Sequence, residues 1–296
     1  MRDWAVPELR FGVLVVPDAE FATLVERWRR VEEFGFDLLF VADHYRHTGA
    51  ASLPWFDGWT ALAAMALKTK TVRIGPLVAN PVLRNPAVVA KAAVAVDHLS
   101  NGRLELAIGK GVEEFDHMAV GEPYWTAAER SGRFREYVEI VHGLLRSWQT
   151  PFSYEGRYYR THEATVSPGP LQRPQPPITV GGQSPSVRRI AAERASCWNT
   201  FALGAVPFDE IVETVRAQNR ELDEQCVELG RDPATLRRSL VCWKPLDPWE
   251  TLDAFESIVA SFRDAGISEF NVMWPPDERL PLLEKAAATI ASLRAG

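Results

Sequence analysis

Short apolar runs recur along the whole chain, separated by longer stretches in which apolar residues return at helical spacing. Nearly every position within these runs is apolar, which is typical of strands in a parallel sheet covered by helices. The pattern predicts eight strands, at residues 11–16, 37–42, 72–78, 104–109, 178–181, 197–201, 237–243 and 269–274.

The stretches between the runs predict helices with recognisable ends. Leu24, Trp28 and Val31 fall on one helical face, and the glycine at position 35 is placed to end that helix. Asn85 followed by Pro86 is typical of an N-cap and a first helical residue. Strands and helices therefore alternate along the chain.

Eight such units predict an α/β fold, a (β/α)8 TIM barrel, forming a single domain over residues 1–296. A doubly wound sheet would carry a glycine-rich turn after its first strand, but here that strand leads into Val16 and Pro17. Residues 150–177 depart from the repeat, because 152–159 suggest a small hairpin and 168–177 are rich in proline. A connection of that length is more often a lid or a binding loop, so we interpret it as an inserted lid.

The composition narrows the classes of function. A net charge of -6 and a pI near 5.6 give no electrostatic reason to bind nucleic acid or an anionic membrane surface. Residues 1–10 lack the pattern of a secretion signal, and no apolar run approaches the roughly 18 residues of a membrane span. Cys197, Cys226 and Cys242 lack zinc-like spacing and are expected to be buried thiols. We expect a cytoplasmic protein without nucleic-acid or membrane partners.

The active site of such a barrel lies at the carboxyl ends of its strands, so the residues after each strand are the candidates. His44 follows strand two, and an imidazole there can act as a general acid or base near neutral pH. Asp43 beside it is placed either to contact a cofactor ring or to form a structural cap. His47 completes an H-x-x-H pattern, but without further ligand spacing we predict no metal site.

The turn after strand five has two interpretations. Gly181 and Gly182 let backbone amides approach a ligand, and Ser184 can cap the next helix, which together would form a phosphate cradle. The same glycines also suit an ordinary tight turn. The local sequence does not decide between the two.

Several tryptophans are candidates for the walls of a substrate pocket, with core filling as the alternative. The candidates are Trp55, Trp198, Trp243 and Trp274. Core filling is favoured for Trp59. The pocket is favoured for Trp274, because it ends strand eight.

Several short segments, in their order along the chain, resemble a known family. They are Val41-Ala-Asp-His-Tyr45, Gly75-Pro-Leu-Val-Ala-Asn80 with Arg84-Asn-Pro86, Leu99-Ser-Asn-Gly-Arg103 leading to Gly109-Lys-Gly111, Thr179-Val-Gly-Gly182 and Gly230-Arg-Asp-Pro233. Together they resemble the luciferase-like flavin monooxygenases and deazaflavin-dependent oxidoreductases, over nearly the entire chain.

The resemblance implies a barrel without a permanently bound metal, commonly a homodimer, that holds a flavin-type ring at the strand ends. It implies that the cofactor's phosphate end is bound by Val180, Gly181, Gly182 and Gln183. It also implies that the ring lies near Asp43, Ala79, Asn80 and Gly109, above a cis peptide at Pro76-Leu77.

The family has two branches: FMN enzymes that take electrons from a separate flavin reductase and activate oxygen, and enzymes that use coenzyme F420 for hydride transfer. Asp43-His44 and the segment from Asn80 to Pro86 resemble the second branch. The leading hypothesis is therefore F420-dependent hydride transfer to or from a small organic substrate, with His44 as the acid or base.

Lys110 and Val112 depart from the family pattern, which leaves the second acid open. Glu113 and Glu114 are the candidates, unless they are only solvated charges. FMN-dependent monooxygenation is the alternative function, and a catalytically silent flavin-binding barrel ranks below it. A metal-dependent hydrolase comes last, since strand one offers no H-x-H pattern.

Overall fold

Each of the eight apolar runs forms a strand, and these strands pair in parallel around a barrel. The structure is a computed structural model that describes residues 9–202 and 206–295, so most of the segment tested above for a secretion signal lies outside the described residues. The strands in these ranges are β1 (Arg10–Leu14), β2 (Leu38–Val41), β3 (Arg73–Pro76), β4 (Leu106–Ile108), β5 (Phe152–Glu155), β6 (Arg160–Ala164), β7 (Ile178–Gly181), β8 (Cys197–Phe201), β9 (Arg237–Cys242) and β10 (Glu269–Met273).

The barrel sheet has the order β3-β2-β1-β10-β9-β8-β7-β4, with every neighbouring pair parallel. Parallel bridges from Ile74 to Leu104 and from Ala79 to Ile108 join its two edges. The barrel is therefore closed, as the sequence predicted.

Helices surround the barrel. They are α1 (Phe21–Glu33), α2 (Gly58–Lys68), α3 (Pro86–Leu99), α4 (Glu114–Val120), α5 (Ala127–Arg146), α6 (Pro185–Arg194), α7 (Phe208–Glu228), α8 (Leu252–Asp264) and α9 (Leu280–Ala295). Helix α3 begins at the predicted cap Asn85, whose side chain accepts from Ala87 N at 2.9 Å, with Pro86 as the first helical residue. Ser184 lies at the N-cap position of α6 without a side-chain capping bond. In the part of the chain that the structure describes, no helix has both the length and the apolar character needed to cross a bilayer.

Alternate strand residues divide the apolar core into two layers. The outer layer lies between strands and helices and includes Trp28 and Trp59. The inner layer fills the carboxyl half of the barrel with Leu14, Leu38, Phe40, Ala42, Leu77 and Ala107. The loops at the carboxyl ends of the strands lie above this inner layer.

A buried ionic cluster fills the amino-terminal end of the barrel interior. Glu105 Oε1 accepts from Arg10 Nη2 at 3.0 Å and from Arg73 Nε at 2.6 Å. Glu105 Oε2 accepts from Arg237 Nη2 at 3.1 Å, and Glu269 lies 3.4 Å from Arg10. Burial by itself lowers the pKa of the Arg10 guanidinium, but Glu105 and Glu269 outweigh it and hold that pKa above its ordinary value. We call these five residues the ionic floor.

The insertion contains the predicted hairpin, formed by antiparallel β5 and β6. The hairpin packs on the outside of α5. Its turn is fixed there because Glu136 accepts from the backbone N–H groups of Arg157, Tyr158 and Tyr159 at 2.8–2.9 Å.

The rest of the insertion crosses the amino-terminal end of the barrel, not its carboxyl end. Leu171 N and Gln172 N donate to Asp97 at the end of α3, at 2.7 and 3.0 Å. Gln172 Oε1 accepts from Arg73 at the start of β3, at 2.7 Å. The lid interpretation is thereby corrected. The segment connects the end of a helix to the start of a strand, and such connections lie on the side of the barrel away from the active site.

Candidate active site

His44 stands at the carboxyl end of β2 and pairs with an acid from a distant part of the chain. Its Nδ1 lies 2.7 Å from Asp116 Oδ2 on α4. The His44 side chain is 29% exposed and that of Asp116 is 0% exposed. The imidazole therefore has one edge against a buried carboxylate and the other towards the mouth of the barrel.

Asp116 is held in place by two further donors. Its Oδ1 accepts from Tyr45 N, and its Oδ2 accepts from Asn80 Nδ2, each at 2.7 Å. A carboxylate only accepts, so His44 Nδ1 carries the proton in this contact. With Nδ1 bonded to Asp116, Nε2 is the ring nitrogen left to exchange a proton with a group in the mouth.

A second buried carboxylate, Asp43, ties the loops after β2 and β3 together. Its Oδ2 accepts from Asn80 N at 3.0 Å, and its Oδ1 accepts from Arg84 Nη1 at 2.7 Å. Burial raises the pKa of Asp43, while Arg84 and the Asn80 amide act against that rise. Arg84 also binds Asp57, whose side chain caps α2 by accepting from Thr60 N at 2.8 Å.

Asp43 and Asn80, both predicted beside the cofactor, thus belong to one network with His44. Both residues are almost completely buried. Their side chains position the loops and the imidazole instead of facing solvent.

Aromatic side chains flank His44 in the mouth. Trp55 Nε1 donates to the His44 carbonyl at 2.8 Å, and Trp55 packs against the inner core layer. The ring of Phe115 lies 5.7 Å from that of His44, with the Arg46 guanidinium 4.3 Å above it. Trp55 therefore lies beside His44 at the mouth, and its role as a pocket wall stays a prediction.

The end of β3 differs from the prediction by one residue. The cis peptide joins Leu77 to Val78, because Pro76 is still paired with Val41 and Leu77 N still donates to Val41 O at 2.8 Å. Ala79 is fully buried in the outer core layer, so its side chain does not face a ring in the mouth.

Val78, which was not among the predicted site residues, faces the mouth instead of Ala79. It packs against the inner layer, and a Cβ added to Gly109 or Gly181 would lie 2.2 or 3.3 Å from its methyl groups. Glycine at position 109 therefore gives Val78 the room to stand in the mouth.

The turn after β7 offers free backbone donors. The N–H groups of Gln183, Ser184 and Ser186 make no hydrogen bond with any described residue, and they precede or begin α6. Gly182 adopts φ +138°, a conformation that other residues rarely take. Trp198 Nε1 fixes the turn by donating to Gly182 O at 2.8 Å. Free N–H groups at a helix N-terminus suit an anion, so the geometry fits a phosphate. We call Gly182 to Ser186 the cradle.

Three predicted residues take other places than expected. Val180 and Trp198 are fully buried in the outer core layer, because they alternate with inward-facing neighbours on β7 and β8. Trp274 packs on the outer layer too, with the Arg27 guanidinium 5.8 Å from its ring, and so is not a pocket wall. Trp243 is exposed just after the carboxyl end of β9, and its role in the substrate pocket stays a prediction.

Neither Glu113 nor Glu114 pairs with His44. Glu113 is half-buried and Glu114 exposed, and neither side chain bonds to a described residue. Asp116 makes that contact instead, because the third position of α4 is buried while Glu114 at the first is exposed. No local sequence signal separates Asp116 from Glu113 and Glu114.

The sequence is similar to those of known proteins. A family model described as luciferase-like monooxygenase matches residues 9–242. An F420-dependent glucose-6-phosphate dehydrogenase of Nakamurella multipartita is 33% identical, over 74% of this chain and 65% of the relative. One from Intrasporangium calvum is also 33% identical, over 75% and 70% of the two chains. A 5,10-methylenetetrahydromethanopterin reductase of Archaeoglobus fulgidus is 31% identical, over 62% and 51%. The matches thus span between half and 70% of these relatives' lengths.

Solved structures share the fold at lower identity. An F420-dependent secondary alcohol dehydrogenase in complex with an F420-acetone adduct superposes with a TM-score of 0.81 and 18% identity, covering 96% of this chain and 99% of that one. A coenzyme F420 dependent tetrahydromethanopterin reductase from Methanopyrus kandleri gives 0.76 and 18%, covering 94% and 97%. At these identities the likeness shows the fold.

Proposed function

The chain belongs to the luciferase-like monooxygenase family, and on that premise we propose that it is an oxidoreductase that uses coenzyme F420. In this proposal a hydride passes between the coenzyme and a small organic substrate, and His44 handles the accompanying proton. The names of the relatives support the choice of coenzyme, since those with the best coverage are F420-dependent dehydrogenases.

The observation that carries the proposal is the contact between His44 and Asp116. Moving a proton to or from a substrate oxygen in the mouth needs a group whose protonation changes near neutral pH. Asp116 Oδ2 accepts from Nδ1 of His44, 2.7 Å away, and so leaves Nε2 as the atom that exchanges a proton with the substrate. The same carboxylate stabilises the imidazolium that forms when Nε2 takes up a proton.

The residues fit the coenzyme at both of its ends. The cradle would hold its phosphate, since three backbone N–H groups there have no partner among the described residues. Val78 and Trp55 would contact the ring above the inner core layer. When bound, F420 supplies two-electron hydride transfer; the chain supplies orientation and the proton.

FMN-dependent monooxygenation is the second candidate, because the matching family model is described as luciferase-like monooxygenase and a solved structure with the same fold is a monooxygenase. That function would require a separate flavin reductase as a partner. Under either function we propose a homodimer in the cytoplasm, and the three free, buried cysteines are in keeping with a reducing compartment.

Side-by-side fluorescence titrations with coenzyme F420 and with FMN test the choice of cofactor. We expect F420 to bind at least about tenfold more tightly. FMN binding alone would support the monooxygenase, and binding of neither would overturn both proposals.

The chemistry is tested by following F420 absorbance with secondary alcohols and with glucose 6-phosphate as trial substrates. His44→Gln should keep F420 affinity and lower turnover by roughly 100-fold or more, since acid–base catalysis contributes that much. His162→Gln is the matched control, because that histidine is exposed on the hairpin. Equal turnover in both variants would remove His44 from the reaction, and tight binding without turnover would favour a catalytically silent barrel.

A further inference from the structure

A cavity opens at the amino-terminal end of the barrel, on the face opposite His44. Its volume is about 460 Å³, and it is bordered by the ends of α5 and α6, by the insertion and by the segments that lead into β8 and β9. That volume lies in the range of roughly 300–1,000 Å³ that is usual for small-molecule sites. The space therefore admits a metabolite-sized ligand.

The cavity is lined by arginines that lack carboxylate partners. Arg146, Arg173 and Arg231 line it, and none of them forms an ion pair with a described residue. A fourth arginine, Arg194, is neutralised by Glu139 at 3.0 Å. In a chain of net charge -6, three unneutralised guanidinium groups around one space are a marked local excess of positive charge.

The carboxylate that borders the cavity does not cancel this excess. Glu193 is engaged by Arg135 at 2.8 Å and by Arg189 at 3.0 Å, both outside the cavity. His142 also lines the cavity, and burial together with the positive charges of Arg194 and Arg146 lowers its pKa to about 4. The imidazole is therefore neutral near pH 7, and the arginines alone set the charge.

Helix stabilisation does not account for all of these cations. Arg146 lies in the last turn of α5, where a positive charge favours the helix dipole. Arg231 donates to the carbonyls of Ala191 and Ala192 in the last turn of α6 and so stabilises the end of that helix. Arg173 comes from the insertion, outside any helix, and its guanidinium lies 4.7 Å from the centroid of the Trp148 ring.

We propose that this cavity binds a small phosphorylated molecule, at a site separate from the cradle. The guanidinium groups of Arg146 and Arg173 would bind the phosphate, because their planar donors match its oxygens. The Gln175 side-chain oxygen is buried without a partner among the described residues, and a half-turn of the amide would place a donor there. The bound molecule would link α5 and α6 to the insertion and so stabilise the amino-terminal face.

Isothermal titration of the full chain at constant ionic strength tests this proposal, with glycerol 3-phosphate as the probe and glycerol as its uncharged counterpart. We expect saturable binding of glycerol 3-phosphate and none of glycerol. The double variant Arg146→Gln/Arg173→Gln should bind at least about tenfold more weakly, because it removes the charge-assisted bonds. Arg29→Gln/Arg160→Gln is the control, since it removes the same charge from exposed positions outside the cavity.

Two results would overturn the proposal. One is the absence of saturation up to about 50 mM glycerol 3-phosphate, where ordinary metabolite affinities would be exceeded. The other is unchanged binding by the double variant, which would put the phosphate elsewhere, for example in the cradle. If circular dichroism shows that the double variant does not fold, the single change Arg173→Gln in the connecting segment decides the question in the same way.

Discussion

Replacing Glu105 by glutamine should remove the charge that holds the ionic floor together. Glu105 is 3% exposed and accepts from Arg10, Arg73 and Arg237, all within 3.1 Å. Glutamine keeps the shape but turns one acceptor into a donor, leaving three guanidinium groups with Glu269 as their remaining carboxylate in the floor. Breaking a buried ion pair from one side costs about 3–5 kcal/mol. Since domains are stable by about 5–15 kcal/mol, this is a large fraction of the total.

Urea unfolding followed by the fluorescence of the ten tryptophans measures this loss. With an m value of about 3 kcal/mol/M, a loss of about 4 kcal/mol moves the midpoint down by a little more than 1 M. The matched control is Glu284→Gln, which breaks a partly exposed pair with Arg30 of 2.7 Å. That change should cost less than about 1 kcal/mol, because solvent screens the pair. If the two variants unfold at the same urea concentration, burial does not give the floor its stability and the reasoning fails.

Three further predictions concern the mouth, the cradle and acid stability. Asp116→Asn should place a donor against His44 Nδ1, reverse its tautomer and lower turnover about 100-fold with little change in F420 affinity; weaker F420 binding with normal turnover would contradict this. Gly182→Ala should weaken F420 binding roughly tenfold, because a left-handed φ costs alanine about 1–2 kcal/mol. Gly230→Ala carries similar strain at φ +68° far from the cradle, and an equal loss of affinity in both would show a general effect of strain. His142 has its pKa lowered from 6.5 to about 4 by burial and two arginines, so unfolding takes up a proton and stability falls as the pH drops through that window. His142→Gln should remove roughly 1–2 kcal/mol of that pH dependence, allowing for partial exposure, and urea midpoints at pH 7 and pH 4.5 that shift equally in wild type and variant would refute it.

The barrel was predictable because most of its strands are rich in apolar residues on both faces. A run such as Leu38–Val41 faces the inner layer with one set of residues and the helices with the other, so hydrophobicity alone marks it. Because both faces are apolar, hydrophobicity does not show which face of the strand a residue occupies. Trp198 lies within a predicted strand and was a candidate for the pocket, but it faces outwards, and only the register with β7 decides that.

The acid of the site could not be predicted from local pattern, because it depends on a contact across 72 residues. Glu113, Glu114 and Asp116 are equivalent as sequence, and the direction of α4 separates them. Val78 was not predicted for a related reason. Both Leu77 and Val78 pack against the inner layer, so the usual alternation of strand residues between the two faces is broken there. His44, Asp43 and Asn80 could be singled out as candidates because each comes within four residues of the end of a strand.

The placement of the insertion has a consequence for how the protein can diversify. The loops at 48–57 and 111–125 surround the mouth. The hairpin packs against α5, and the segment that follows it lies across the opposite end of the barrel. Changes in the length of the hairpin turn near Gly156 can therefore accumulate without altering the pocket. A fusion partner or affinity tag placed at that turn would leave the chemistry accessible, and selection for a new substrate would act on the loops at the other end of the molecule.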